Sequence, residues 1–108
     1  MEFNQYNTTV QQWIHTVLEN RETNADVVLE CCRDIIAYGR ETDDPKLMGF
    51  GFFYGGEIYY ELNDGAHFFH MMTEALTYLD RAEEWELVVR CYNFLGIASK
   101  TEDRKSVV

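Results

Sequence analysis

Two stretches forty residues apart are spelled alike: Phe52-x-x-Gly55-Gly56-x-x-Tyr59 and Tyr92-x-x-Leu95-Gly96-x-x-Ser99. Each places an aromatic, a small or apolar residue and a glycine at helical spacing. Other positions agree under the same shift: Trp13 with Phe53, Leu18 with Ile58, Leu29 with Phe69, Cys32 with Met72 and Tyr38 with Tyr78. A period of this length is the mark of stacked supersecondary units, each burying its apolar face against the next. It restricts the chain to two helical hairpins and the first helix of a third.

The helices can be placed from their apolar periodicity and their boundary residues. The first spans about Gln5 to Glu19, with Val10, Trp13, Ile14, Val17 and Leu18 on one face. Asn20-Arg21-Glu22 ends it. Thr23-x-x-Asp26 reads as a capping box opening a second helix that runs to about Arg40, with Val28, Cys31, Cys32, Ile35 and Ile36 inward. Asp44-Pro45 opens the third: Asp supplies a cap, and proline costs nothing at the first helical position. This helix reaches Leu62 and carries Gly49, Gly51, Gly55 and Gly56, each a cost of roughly 1 kcal/mol against alanine. Close approach of neighbouring helices is the reason to expect for them, Gly56 above all. After the turn Asn63-Asp64-Gly65, a fourth helix covers about Ala66 to Arg81, burying Phe68, Met72, Ala75, Leu76 and Leu79. A fifth starts near Glu83 and buries Leu87, Val88, Cys91, Leu95 and Ala98. The units are a hairpin over 5–40, a hairpin over 45–81 and a half hairpin over 83–100.

Composition narrows the function classes. Of 108 residues, 46% are hydrophobic and only one is proline, so a packed helical core is within reach. The formal charge of −10 repels nucleic acid phosphates and anionic lipid, leaving neutral or basic partners. No apolar run is long enough to span a membrane. The start of the chain lacks the basic-then-apolar pattern of a signal peptide. The expected location is cytoplasmic, where the three cysteines stay reduced.

The run Leu47 to Ala98 resembles a tetratricopeptide-like repeat, with longer helices than the standard unit. Tyr59-Tyr60-Glu61-Leu62-Asn63-Asp64 and Tyr92-Asn93-Phe94-Leu95-Gly96-Ile97-Ala98 are similar to the N-terminal repeat region of bacterial signalling proteins in which such repeats precede a GGDEF diguanylate cyclase domain. Two positions depart from the repeat pattern: Phe68 stands where a small residue is expected, and Met72 where an aromatic is. Ala75 matches the later alanine. No GGDEF motif occurs in the chain.

The resemblance implies an all-α solenoid whose first helices line a concave groove. The usual groove positions map onto Trp13 and Val17 of the first helix, Phe53, Glu57 and Tyr60 of the third, and Arg90, Asn93 and Ile97 of the fifth. Aromatics there would anchor a peptide or protein partner, and Arg90 with Asn93 would hold a backbone or a carboxylate. The competing reading puts Trp13 and Phe53 in the core and pairs Arg90 with Glu86, Glu57 or Glu61. The partner is a protein or peptide, with the chain's own downstream domain among the candidates. A second reading is a sensor of a small signalling peptide that controls a transcription factor or phosphatase.

Enzymatic readings find little footing. His67 and His70 share a helix face with Glu74 one turn on, but a surface pair is the commoner meaning. Cys31 and Cys32 cannot both face one metal. The glycines lack the spacing of a phosphate loop. No catalytic residue, metal ligand or cofactor is assigned. Catalysis would belong to a domain outside this chain.

The last six residues, Asp103 to Val108, resemble the translation of a common sequencing adapter ending in a stop. They read as a non-native tail on a repeat fragment of residues 1–102 whose natural chain continues past Glu102. The acidic balance survives their removal. A fifth helix without its hairpin mate should expose apolar surface near Phe94, Leu95 and Ala98 and favour self-association.

Overall fold

A computed structural model describes residues 2–107, with side chains from Glu2 to Gly96. Five helices follow one another: α1 (Thr8–Asn20), α2 (Ala25–Glu41), α3 (Pro45–Glu61), α4 (Gly65–Arg81) and α5 (Trp85–Val107). There is no strand among the described residues, so the chain is all-α as expected. Each helix packs on the next in sequence, giving an elongated body of 52 × 29 × 20 Å. Among the described residues no helix is long and apolar enough to cross a membrane.

Three consecutive joints share one backbone solution. Asp43, Asn63 and Glu83 each adopt a left-handed conformation, with φ of 52°, 59° and 58°. The following amide donates back across the turn in each case: Asp44 to the Gly39 carbonyl, Asp64 to Tyr59 and Glu84 to Leu79, at 2.7, 2.9 and 3.0 Å. This is the Schellman ending, in which a left-handed residue lets the last carbonyls be satisfied. Asp44 and Asp64 then cap the next helix, accepting from the amides of Leu47 and His67. The 40-residue sequence period is therefore a 20-residue period in the backbone from α2 onward.

Two helix starts differ from the sequence-based boundaries. α1 begins at Thr8 rather than near Gln5, because Asn7 caps it by accepting from the Val10 amide at 2.9 Å. The residues before it fold back onto α3 instead: Phe3 meets the Phe50 ring edge-on, and the Tyr6 hydroxyl donates to Asp44 at 2.8 Å. The capping box at Thr23 does not form. Asn24, one residue on, accepts from the Val27 amide and leaves Thr23 in the turn.

α3 is the spine. Leu47 through Ile58 are all buried, because α2 and α4 cover two sides while Phe3, Arg21 and the α5 residues Arg90 and Phe94 reach across the rest. Its glycines are where the covering helices come closest. A Cβ on Gly51 would lie 2.6 Å from Ile36 Cγ1 and 3.0 Å from the Cys32 carbonyl oxygen of α2. On the opposite side, a Cβ on Gly49 would meet Leu79 of α4 at 2.6 Å, and one on Gly56 would meet Met72 at 3.1 Å. The propensity cost of glycine is thus exchanged for short interhelical distances on both faces.

The expected core is mostly where the periodicity put it, through Val10, Ile14, Val17, Val28, Cys32, Ile35, Phe68, Met72, Leu79, Leu87 and Cys91. Leu18 is an exception at 41% exposed. The expected exposed patch on α5 is also displaced. Phe94 and Leu95 pack against the core, whereas Trp85, Val89 and Tyr92 are exposed. Ala98, Ile97 and the 103–108 tail lie outside the residues whose side chains are described.

Candidate functional site

Glu57 sits one turn before the end of the α3 spine, 9% exposed, and would be costly there without partners. Two arginines from distant parts of the chain supply them. Arg21, in the turn between α1 and α2, donates through Nε at 2.9 Å and Nη2 at 3.0 Å, a fork matched to the carboxylate. Arg90 of α5 donates through Nη2 at 3.4 Å. Each guanidinium also lies over an aromatic face of α3: Arg21 over Tyr54 at 5.1 Å and Arg90 over Phe53 at 4.8 Å. Planar, weakly hydrated guanidinium groups suit such stacking better than ammonium would. No buried side-chain polar atom lacks a partner among the described residues.

Beside this bridge lies a cavity of about 550 Å³ between the α1–α2 turn, α3 and α5. Arg21 and Glu57 form its polar floor, and Glu22 and Glu61 its acidic rim. Ile58, Leu62 and Phe94 give the apolar wall. Phe94 is held in an aromatic cluster, with its ring 5.3 Å from Tyr60, 6.0 Å from Phe53 and 6.3 Å from Phe68. The result is a concave, mixed surface able to accept an apolar side chain next to a polar or cationic group.

The sequence-derived groove residues divide into four groups. Glu57 lines the cavity, Arg90 reaches it through the bridge, and Tyr60, 37% exposed, packs behind Phe94 outside the lining, with Asn93 exposed one residue before Phe94. Phe53 and Val17 are fully buried, so neither can touch a partner, and each serves as core beneath the surface. Trp13 is half-buried and turned toward α2, where its ring meets Tyr38 at 6.3 Å, away from the cavity lining. Ile97 lies outside the described side chains. Arg21 and Phe94 were not foreseen. Arg21 sits in a connection, where no periodicity speaks for a side chain's direction. Phe94 was read only as exposed surface.

His67 spends its Nδ1 on Asp64, at 2.8 Å, and stacks on Tyr59 at 4.8 Å. Hydrogen bonds from the His67 backbone and ring hold the Asp64 carboxyl below its usual range. Among the described residues no group of three His, Cys, Asp or Glu is placed to hold a metal ion. The thiols are ordinary core groups: burial raises Cys31 and Cys32, and pushes Cys91 up to about 12.

No protein-family model, curated protein or solved structure matches the chain.

Proposed function

We propose that the chain is a recognition module that binds a peptide or protein segment across the inner layer formed by α1, α3 and α5. The observation that carries this reading is the Arg21–Glu57–Arg90 bridge opening onto the cavity walled by Ile58, Leu62 and Phe94. The bridge fixes three elements relative to one another, so the concavity is preformed and a ligand need not order it. Glu22 and Glu61 at the rim, with the overall charge of −10, favour a basic segment carrying an apolar anchor. The likeness of Leu47–Ala98 to repeat regions ahead of GGDEF domains supports a regulatory role in a bacterial signalling protein.

Selection of peptides from a random display library, followed by amide chemical-shift mapping on the full chain, tests the reading. Selected peptides should be enriched in Lys or Arg next to an aromatic or aliphatic residue. Their shifts should centre on residues 21–25, 57–62 and 94. Tyr60→Ala with Glu61→Lys should reduce affinity at least tenfold with helicity unchanged. Shifts centred elsewhere, or binding indifferent to that double substitution, would remove the proposal.

A further inference from the structure

α3 meets α4 at Gly49, Phe52 and Gly56, and the same spacing of four, three and four runs back to Pro45 at the start of the helix. Gly49 receives Leu79, Phe52 stacks on Tyr78 at 5.8 Å and 7°, and Gly56 receives Met72. The forty-residue shift carries this seam onto Trp85, Val89, Tyr92 and Gly96 of α5. Among the described residues nothing comparable packs against them. Trp85, Val89 and Tyr92 are 55%, 56% and 61% exposed, and a Cβ added to Gly96 would meet no atom within 4 Å. The spacing is that of an a/d seam between two helices.

The seam is complementary to itself. In an antiparallel pair of α5 helices related by a two-fold axis between Val89 and Tyr92, Trp85 of one copy lies opposite Gly96 of the other, and Val89 opposite Tyr92. The largest side chain then meets the position with no side chain. The two intermediate ones meet each other. The antiparallel sense also repeats that of α3 with α4. Aromatic residues at a desolvated centre are what stable contacts use. We infer that this face of α5 binds a second copy of the chain as an isologous, antiparallel α5–α5 dimer. The seam is separate from the Glu57 bridge, which lies on another face of α5 through Arg90. Glu86 and Asn93 flank the seam as its exposed polar rim.

Two helices meeting over this length bury less than the ~800 Å² per partner of a standard interface, so a dissociation constant on the order of 10–100 µM is expected. Each copy carries a charge of −10, so added salt should tighten the pair by screening repulsion. Sedimentation equilibrium of the full chain across a thousandfold concentration range reads this directly. Val89→Glu and Tyr92→Glu should each leave a folded monomer, since both positions are exposed. The double variant Val89→Glu, Tyr92→Lys should dimerise again, because the antiparallel register sets each new Glu opposite a new Lys. A parallel pair would place like charges together and show no rescue. A wild type that stays monomeric throughout overturns the proposal and leaves the seam to a following helix of the same chain, as α4 covers α3, or to a different chain. A dimer indifferent to Tyr92→Glu, or a double variant that stays monomeric, overturns it equally.

Discussion

Arg21 and Glu57 are thirty-six residues apart in sequence and meet through two parallel N–H···O bonds of 2.9 and 3.0 Å. The pair ties the α1–α2 turn to the last turns of α3, across a distance that no backbone hydrogen bond covers. Removing Arg21 would strip a nearly buried carboxylate of its forked donor and leave only the longer contact from Arg90. Arg21→Ala should therefore cost about 1–3 kcal/mol in urea unfolding, the penalty of an under-satisfied buried acceptor. The exposed Arg33→Ala serves as control and should lie within about 0.5 kcal/mol of wild type. Equal losses for the two would mean that the bridge adds nothing to stability.

Gly51 and Gly65 should respond oppositely to the same methyl group. At Gly51 the new Cβ would press on Ile36 and on the Cys32 carbonyl, and a backbone oxygen cannot rotate away. Gly51→Ala should cost about 1–3 kcal/mol by overpacking. Gly65 opens α4 with nothing within 4 Å, so Gly65→Ala should be neutral or stabilising by up to about 0.5 kcal/mol. Thermal unfolding of the two variants in parallel checks the contrast.

The three left-handed joints are occupied by Asp43, Asn63 and Glu83, none of them glycine. Asparagine tolerates this region through its short polar side chain, whereas glutamate has no such compensation. Glu83→Gly should raise stability by about 1 kcal/mol, and Asn63→Gly by less. A loss at Glu83→Gly would show that its side chain has a compensating role.

Stability should fall in alkaline solution, and the sign follows from the thiols. Burial raises Cys91 to about 12 from its ordinary value of 9.0, so the native state holds its proton where the unfolded chain releases it. The contribution is complete below the unfolded value and is lost as pH rises toward the folded one. By pH 10 Cys91 alone should forfeit about 1.4 kcal/mol, with Cys32 acting in the same direction. Denaturation at pH 7 and pH 10 measures the drop, and Cys91→Ala should flatten it. A slope unchanged in that variant would assign the effect to other groups.

Much of the architecture was legible because it rests on local signals. Asp44-Pro45 marked the start of α3, and the glycines, Gly56 above all, marked where a neighbouring helix comes close, which at Gly56 is α4. The Glu57 bridge was only half visible. Arg90 has helical periodicity and could be matched to Glu57 as one of three carboxylates within reach. Arg21 belongs to a turn, where side-chain direction follows from the tertiary path. The fate of Phe94 had the same origin. Its neighbour Asn93 and the seam residue Tyr92 are exposed, and a rotation of one position decides which of the three enters the aromatic cluster with Tyr60 and Phe68. The late start of α1 was hidden as well, since Phe3 and Tyr6 take their places from contacts with α3.

The identical joints at Asp43, Asn63 and Glu83 carry an implication for how such a chain can change length. The turn inside a hairpin and the turn between hairpins are the same object, so the backbone holds no record of where a repeat begins. That record is kept by side chains alone, in pairs that recur at forty residues such as Phe52 with Tyr92 and Gly56 with Gly96. Excising twenty residues between two joints would preserve every turn and yet exchange the inner and outer layers. Excising forty would preserve both. Growth and loss in whole pairs of helices is therefore the arithmetic that this geometry permits.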